Sequence, residues 1–215
     1  MSLISYPAQS FFGKNIPKET LYQYAESNTK QKNLFMQQIE KIIWQHKLAT
    51  STIGLPAQGE IAEIQILQIR LKGMEYDLDI LNAIDSVIPY PIFFEITRED
   101  GQTQTAATYK NPNLSLRKST YYTSEWQPES GDRIPMPTAL NLEQLYRALF
   151  AKLLPQPIKT GETLPSALER MEKIAKLQTQ IEKKQKQLSR EKQFNRKTEF
   201  NRELRQMKQQ LDELY

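Results

Sequence analysis

Cysteine is absent from the 215-residue chain, and histidine occurs only once, at His46. Without thiols the chain has no disulfide framework, no thiolate zinc site and no cysteine nucleophile. A single histidine cannot build a histidine-based zinc site, and we expect His46 to be a flanking residue near the end of a helix. The seven glycines are isolated and form neither a phosphate-binding loop nor a nucleophile elbow. Nucleotide hydrolysis and serine-hydrolase chemistry are therefore disfavoured.

Long apolar runs and a secretion signal are missing as well. The chain has no stretch of about 18 consecutive apolar residues, the length that a membrane-spanning helix needs. The N-terminal sequence MSLISYPAQSFFGKN lacks the basic start and apolar centre of a signal peptide. We therefore expect a soluble cytoplasmic protein with no membrane contact and no cofactor.

The strongest positive feature is the tail, Leu164 to Leu214, in which apolar residues recur every three or four positions as in a coiled coil. Thr163 is its predicted N-cap. The first apolar ladder consists of Leu168, Met171, Ile174, Leu177, Ile181 and Leu188, and the second of Phe200, Leu204, Met207, Leu211 and Leu214. On one straight helix the two ladders would lie about 120° apart. We therefore favour a helical hairpin that turns near residues 189–193 over a single rod, although no glycine or proline marks that turn.

The positive charge of the chain is concentrated in this tail. Residues 158–215 contain 14 basic and 9 acidic residues, whereas residues 1–157 contain 15 basic and 16 acidic ones. Nine basic residues lie between positions 183 and 205, namely Lys183, Lys184, Lys186, Arg190, Lys192, Arg196, Lys197, Arg202 and Arg205. A solvated coiled-coil surface is the favoured interpretation. The second interpretation is that these residues contact the phosphates of DNA.

The rest of the chain predicts an α+β head over residues 1–157, with residues 158–215 forming the arm. The predicted fold is a small, mainly antiparallel sheet covered by helices, followed by a long C-terminal helical coiled-coil arm. Predicted helices span 17–26, 29–47, 78–87 and 140–154; predicted strands span 61–71, 92–97, 105–110 and 119–126; and 7–17, 49–59 and 127–139 are predicted to be irregular. Ser27 or Asn28 is the expected cap of the second helix, and residues 111–113 form a turn.

The expected core of the head follows from the same periodicities. Ile64, Leu67, Ile69, Phe93 and Phe94 should be buried in the sheet, with Phe35, Ile39 and Ile42 packed over one of its faces. Tyr109, Tyr121, Tyr122 and Trp126 are interpreted as residues that build the sheet rather than as platforms for stacked bases.

Four segments of the chain resemble a known family. They are IAEIQILQIRLKG, DSVIPYPIFFEI, YYTSEW and the tail EKQFNRKTEFNRELRQMKQQLDEL. Together they resemble the prokaryotic domain-of-unknown-function family 4391, with the tail as the most specific part. The genes of that family often lie beside those of a DNA helicase and an adenine methyltransferase. The resemblance therefore implies a restriction-modification or phage-defence setting, and it transfers no catalytic residue.

This setting makes a metal-dependent nuclease one alternative. Glu63 and Glu95 lie on predicted strands, and carboxylates that converge at a sheet edge are the usual ligands of Mg²⁺. Asp85 could lie nearby. No lysine stands two residues after either glutamate, where restriction-type nucleases usually place one. The favoured interpretation is that both are strand-end polar residues, either solvated or paired with Arg70 or Lys72.

We therefore favour a non-catalytic interaction protein, with no catalytic residues, that serves as an accessory subunit of a restriction-modification or phage-defence assembly. Its expected partner is a helicase or a DNA methyltransferase, and the arm could also pair with a second copy. The candidate partner-binding residues are Phe194, Phe200, Leu204, Met207 and Leu211. The alternatives are a DNA-binding accessory protein that uses the basic run and a nuclease that uses Glu63 and Glu95.

Overall fold

The computed structural model describes residues 2–24, 29–110 and 120–215. The chain divides into two compact units, residues 1–154 and residues 155–215, called here the head and the arm.

The head is built from strands and short helices. Its strands are β1 (Ile4–Ser5), β2 (Phe11–Asn15), β3 (Ile39–Ala49), β4 (Glu63–Leu71), β5 (Ile92–Thr97), β6 (Gln102–Thr108), β7 (Tyr121–Thr123), β8 (Gln127–Pro128) and β9 (Ile134–Pro135). Its α-helices are α1 (Lys18–Tyr24), α2 (Thr29–Gln38), α3 (Thr50–Ile53), α4 (Leu78–Val87) and α5 (Leu142–Ala151), and a 3₁₀ turn covers Ala8–Ser10.

One seven-stranded sheet organises the head, in the order β2-β3-β4-β5-β6-β7, with β8 also paired to β6. Every neighbouring pair is antiparallel except β4 and β5, which are parallel and are joined by α4. A connection by helix is what a parallel pair requires, because a tight turn cannot join parallel strands. The predicted α+β class and the mainly antiparallel sheet are confirmed. The sheet is larger than predicted, because β2, β3 and β8 were not expected to be strands.

The predicted helix over 29–47 is wrong beyond Gln38, where the chain becomes the long strand β3. Ile39 pairs with Leu71 and Ile42 pairs with Ile69, with a register shift between them. Ile39 and Ile42 therefore face the same side of the sheet although they are three residues apart. A β-bulge thus produces the spacing that is otherwise typical of a helix.

The other differences concern short elements. Residues 7–17 are not irregular, since they contain the 3₁₀ turn and β2, and 49–59 contains α3. The predicted strand 119–126 is reduced to β7, and 127–139 contains β8 and β9, of which β9 pairs with β1 in a separate parallel pair. The expected cap at Ser27 or Asn28, the turn at 111–113, and positions 25, 26 and 119 lie outside the described residues.

Both faces of the central strands β4 and β5 are buried. On the first face Leu67, Ile69 and Phe94 pack with Phe35 of α2 and Ile84 of α4. On the second face Ile64, Ile66 and Phe93 are buried, and Tyr146 of α5 contacts the Phe93 ring edge to face. The predicted burial of Ile64, Leu67, Ile69, Phe93 and Phe94 is confirmed. Phe35, Ile39 and Ile42 are buried too, but Ile39 and Ile42 belong to the sheet, in β3, and do not pack over its face from a helix.

The β5–β6 hairpin turns at Asp100-Gly101, a dipeptide that is typical of hairpin turns. Gly101 has a φ of 76°, a left-handed conformation that glycine adopts without steric cost. Its N–H donates to the carbonyl of Arg98 at 3.0 Å, and the Asp100 carboxylate accepts from the N–H of Gln102 at 3.0 Å. This turn fixes the register of the hairpin.

The arm consists of two helices, α6 (Leu164–Arg190) and α7 (Phe194–Leu214). Thr163 is the N-cap of α6, as predicted, and its hydroxyl oxygen accepts from the Ser166 N–H at 3.3 Å. The helices pack on each other in antiparallel fashion, because the Gln178 amide near the middle of α6 binds the Tyr215 hydroxyl while Lys184 binds Glu203. None of the helices formed by the described residues is long and apolar enough to cross a membrane.

Candidate functional site

The contact between α6 and α7 uses most of the apolar side chains that were candidates for partner binding. Leu204 is buried, as is Ile181 on α6. Phe200, Met207 and Leu211 are half-buried on the same side of α7 as Leu204. Phe194 differs from the other four, because it is 80% exposed at the start of α7. The structure therefore brings four of the five candidates together in one seam and leaves Phe194 outside it.

Arg170 ties three parts of the arm together. Its guanidinium donates to both carboxylate oxygens of Glu162, at 2.8 and 2.9 Å, and to the carbonyl of Pro157 at 2.9 Å. It also lies 3.4 Å from the carbonyl of Leu214, at the end of α7, where a cation is favoured by the helix dipole. A bidentate arginine–carboxylate pair has a defined geometry, which a lysine would not reproduce. Arg170 therefore joins the segment before α6 to the last residues of α7.

The same contacts change the acidity of Glu162. The Arg170 guanidinium, which donates to its carboxylate, lowers the pKa of Glu162 from 4.5 to about 2, and the Lys159 N–H contributes in the same direction. The pair in turn raises the pKa of Arg170. Glu162 is consequently ionised over the whole range in which most proteins are folded.

The turn between the two helices is made by a carboxylate and not by glycine or proline. Glu191 accepts hydrogen bonds from the N–H groups of Gln193 at 2.9 Å and Lys192 at 2.8 Å. These N–H groups lower the pKa of Glu191. Glu191 and Gln193 both have extended backbone conformations, which end α6 and begin α7. Glu191, one of the three acidic residues between positions 183 and 205, is therefore engaged by the backbone of the turn.

The nine predicted nucleic-acid-binding residues fall into two groups. Lys184 pairs with Glu203 and lies 4.8 Å above the Phe200 ring, and Arg196 pairs with Glu191 at 3.6 Å. The other seven are exposed and form no ion pair within the part of the chain that the structure describes. They are called here the free cations: Lys183, Lys186, Arg190, Lys192, Lys197, Arg202 and Arg205.

The free cations lie on both helices and on the turn that joins them. Lys183, Lys186 and Arg190 line one open groove along the exposed face of α6, together with Thr179, Glu182 and Gln187. Of the three acidic residues between positions 183 and 205, Glu191 and Glu203 are already paired, and Glu182 of the groove precedes this run. The turn end of the arm therefore has an unbalanced positive charge, which attracts polyanions.

The two candidate metal ligands of the head lie apart. Glu95 is opposite Gln68 in the β4–β5 ladder, five positions along β4 from Glu63. At about 3.3 Å per residue this separates them by about 16 Å along the strand direction, and the odd spacing places them on opposite faces. Glu63 pairs with Lys47 on the neighbouring strand. Among the described residues, no three histidine, aspartate or glutamate side chains are grouped in a way that could hold a metal ion.

Glu95 is 1% exposed and is bound by Arg133, a residue that sequence reasoning did not single out. The guanidinium donates to both Glu95 oxygens, at 3.0 and 2.9 Å, and to the carbonyl of Ile4 at 2.9 Å. Hydrogen bonding to Glu95 raises the pKa of Arg133. The pair fastens the segment before β9 to the second face of the sheet. No local sequence signal marks it, because the two residues are 38 positions apart.

Asp85 also has partners, although its position near the end of α4 was only suggested as part of a metal site. Its carboxylate lies 3.0 Å from the Lys110 ammonium and accepts from the Tyr121 hydroxyl. Lys110 also donates to the backbone carbonyls of Asp85, Ile88 and Tyr90, at the end of α4. Burial raises the pKa of Asp85, while Lys110 opposes that effect. The cluster holds the α4–β5 connection in place.

His46 was predicted to lie near the end of a helix. It lies instead in strand β3. Its Nδ1 lies 2.9 Å from the Ser10 hydroxyl, and its ring contacts Tyr6 with centroids 5.0 Å apart. Burial is the main cause that lowers the pKa of His46 to about 4, with Arg133 adding to it. The Ser10 hydroxyl also donates to the Pro7 carbonyl at 2.7 Å. His46 is thus a neutral residue that packs the N-terminal segment against the sheet.

The aromatic residues of the head are packed, as the sequence interpretation favours. Tyr121 and Trp126 lie against the apolar core, with Tyr121 close to Phe94 and Trp126 close to Tyr76. Tyr109 stacks on Tyr146 with ring centroids 6.0 Å apart. Phe194 of the arm is more exposed than any of these rings and is therefore more open to a base.

Comparison with known proteins identifies the family of the chain and no individual relative. A family model described as domain of unknown function (DUF4391) matches residues 4–211. No curated protein matches the chain, and no solved structure does.

Proposed function

Because the chain belongs to the DUF4391 family, we propose that it is a non-catalytic accessory subunit of a prokaryotic DNA restriction-modification or phage-defence assembly. The setting is the one that the family resemblance implies. The arm is the contact element in this proposal, and the cytoplasm is its place of action. The observation that supports it is the construction of the arm, which encloses its apolar ladders in a seam and presents a polar, mostly basic surface outside.

A helicase or a DNA methyltransferase is the protein partner in this proposal. The test is co-expression of the full chain with a helicase and with a methyltransferase of the kind that the family resemblance implies as gene neighbours, followed by size-exclusion chromatography. We expect co-elution to survive about 0.5 M salt, at which the screening length is about 4 Å and loose charge contacts are lost. Elution of the chain alone under all conditions would overturn the proposed role as a subunit.

A second candidate function, DNA binding by the arm, is favoured by the seven free cations. A surface that neutralises six or more phosphates loses affinity for duplex DNA by about 10³-fold or more between about 50 and 200 mM salt. We expect the full chain to show such a steep salt dependence in a fluorescence anisotropy titration. Absence of duplex and single-strand binding at about 50 mM salt would remove this candidate and leave the protein-contact role standing.

A further inference from the structure

The turn end of the arm combines an exposed aromatic ring with the free cations. Phe194 is the first residue of α7 and 80% exposed, and it directly follows the turn that Glu191 organises. Lys192 and Lys197 flank it in sequence, and Arg190 ends α6 on the other side of the turn. A single exposed apolar residue is ordinary on a protein surface. An exposed aromatic ring among unpaired cations is the combination found where proteins bind single-stranded nucleic acid.

Electrostatics at this end favour an anionic occupant over an apolar one. Glu191 is bound to backbone N–H groups and to Arg196, and Glu203 is bound to Lys184. Glu199 is the remaining acidic residue between positions 183 and 205. With Glu182 of the groove, two exposed carboxylates lie near the seven free cations and compensate only part of their charge. An acyl chain or an apolar protein surface would leave the remaining cations unpaired.

The shape of the arm favours a single strand over a duplex. The major groove of duplex DNA is about 12 Å wide and admits one helix of about 10 Å diameter. Two packed helices are about 20 Å across and do not enter it side by side. In a duplex, moreover, the flat faces of the bases are stacked on one another and are not open to a phenylalanine ring. An unpaired base offers that face without the cost of opening a duplex.

We propose that the turn end of the arm binds single-stranded nucleic acid, with the Phe194 ring stacked on a base and Arg190, Lys192 and Lys197 in contact with the flanking phosphates. The inference rests on the second candidate function and narrows its ligand from DNA in general to an unpaired strand. Because stacking and phosphate contacts do not read the base edges, binding is tolerant of sequence.

The first test is a fluorescence anisotropy titration of the full chain with a labelled oligonucleotide of about 12 nucleotides, single-stranded and as the matching duplex. We expect the single strand to bind more tightly. Phe194→Ala should weaken single-strand binding roughly 5- to 150-fold, the loss of one stacked base. Phe194→Leu should weaken it as well, since leucine is apolar but not flat, whereas Phe194→Trp should retain it.

The matched control for the ring is Tyr215→Ala. Tyr215 is also an exposed aromatic residue of the arm, 53% exposed, but it lies at the opposite end of α7. We expect this variant to bind the single strand as the wild type does. Equal losses in the two variants would show a general effect on the arm and would overturn the stacking role of Phe194.

The matched control for charge uses two pairs of lysine or arginine reversals. Arg190→Glu with Lys192→Glu reverses two free cations at the turn end, and Lys173→Glu with Lys208→Glu makes the same change in net charge away from it. We expect the first pair to lower single-strand affinity and to flatten the salt dependence by about two phosphate contacts. The second pair should have a much smaller effect.

The outcomes separate the inference from the function on which it rests. If the turn-end reversals weaken duplex and single strand alike and Phe194→Ala changes neither, the inference is overturned and DNA binding by the arm remains. If neither oligonucleotide binds at about 50 mM salt, both fail. If Phe194→Ala instead disrupts co-elution with a helicase or methyltransferase and nucleic acid does not bind, the turn end is a protein contact, and the inference is overturned.

Discussion

The head and the arm each contain an arginine that holds a glutamate by two hydrogen bonds, but the surroundings of the two pairs differ. In the head, Glu95 is almost completely buried under the sheet and is held by Arg133. In the arm, Glu162 lies in the segment before α6, and Arg170 shares its guanidinium with two backbone carbonyls. The head pair therefore matters because a buried carboxylate needs a partner. The arm pair matters because it joins segments that are distant in sequence.

The head and the arm also differ in how they bury their apolar side chains. The head buries apolar side chains on both faces of a seven-stranded sheet. The arm has a narrow seam between two helices, and most of its other residues are exposed. Burial of apolar area is the main source of stability in a domain core. We therefore expect the stability of the head to be most sensitive to substitutions that leave a buried charge without a partner or that open a cavity. The stability of the arm should be most sensitive to pH and salt.

The largest effect is expected when the buried pair of the head is broken. Arg133→Ala leaves Glu95 without its partner in the second face of the sheet, which should cost about 3–5 kcal/mol of unfolding free energy. The measurement is urea unfolding followed by the fluorescence of Trp44 and Trp126, which both lie in the head. Arg70→Ala is the control, because Arg70 pairs with Glu129 in a more exposed position, at 3.0 Å, and should cost less than about 1 kcal/mol. Similar losses in the two variants would contradict the assigned difference between them.

The second largest loss of unfolding free energy is expected when a cavity is opened on the first face of the sheet. Ile69 is 1% exposed and packs in the core between the sheet and the helices α2 and α4. Ile69→Ala should therefore cost about 2–5 kcal/mol in the same urea experiment. Met36→Ala is the control, since Met36 is mostly exposed on α2 and should change stability by less than about 0.5 kcal/mol. A loss at Ile69 below about 0.5 kcal/mol would show that the core is placed wrongly.

The arm should show the smaller, pH-dependent effect. The pKa of Glu162 is lowered in the folded arm to about 2, so its stabilising contribution is present above the unfolded pKa of 4.5 and lost as the pH falls through about 2. Glu162→Gln should lower the thermal midpoint of the helical circular dichroism signal above pH 4.5, and this deficit should close between pH 4.5 and 2. Glu169→Gln, at an exposed position of α6, is the control. A deficit that does not change with pH would show that the ion pair is not its cause.

The sequence predicted the elements whose periodicity is undisturbed. β4, α4, β5, α5 and the two ladders of the arm all follow from their local pattern, and the cap Thr163 was predicted from its residue type. β3 was predicted to be part of a helix because the bulge between Ile39 and Lys41 places Ile39 and Ile42 on one face at a spacing of three. Isoleucine and tryptophan are also good strand formers, so residue type pointed towards a strand where periodicity did not.

Hydrogen bonds between residues that are far apart in the sequence could not be predicted from local patterns. Arg133 finds Glu95 across 38 positions, and Arg170 reaches the carbonyl of Leu214 across 44. The turn of the arm carries no glycine or proline, because Glu191 supplies the acceptor that satisfies the first N–H groups of the turn. The basic run was visible from composition alone. Which of its residues remain unpaired, and that Phe194 lies among them, could be seen only after the helices were packed.

The distance between Lys173 and Lys208 within one molecule tests the account most directly, because the proposed contacts of the arm all depend on its two helices being folded back on each other. Spin labels at these positions, one on α6 and one on α7, are read by pulsed electron resonance on a dilute sample of the full chain. The hairpin predicts a distance below about 25 Å, since packed helices lie about 8–10 Å apart. A distance on the order of 50 Å, which one continuous helix gives at 1.5 Å per residue, would contradict the hairpin and the surface that follows from it.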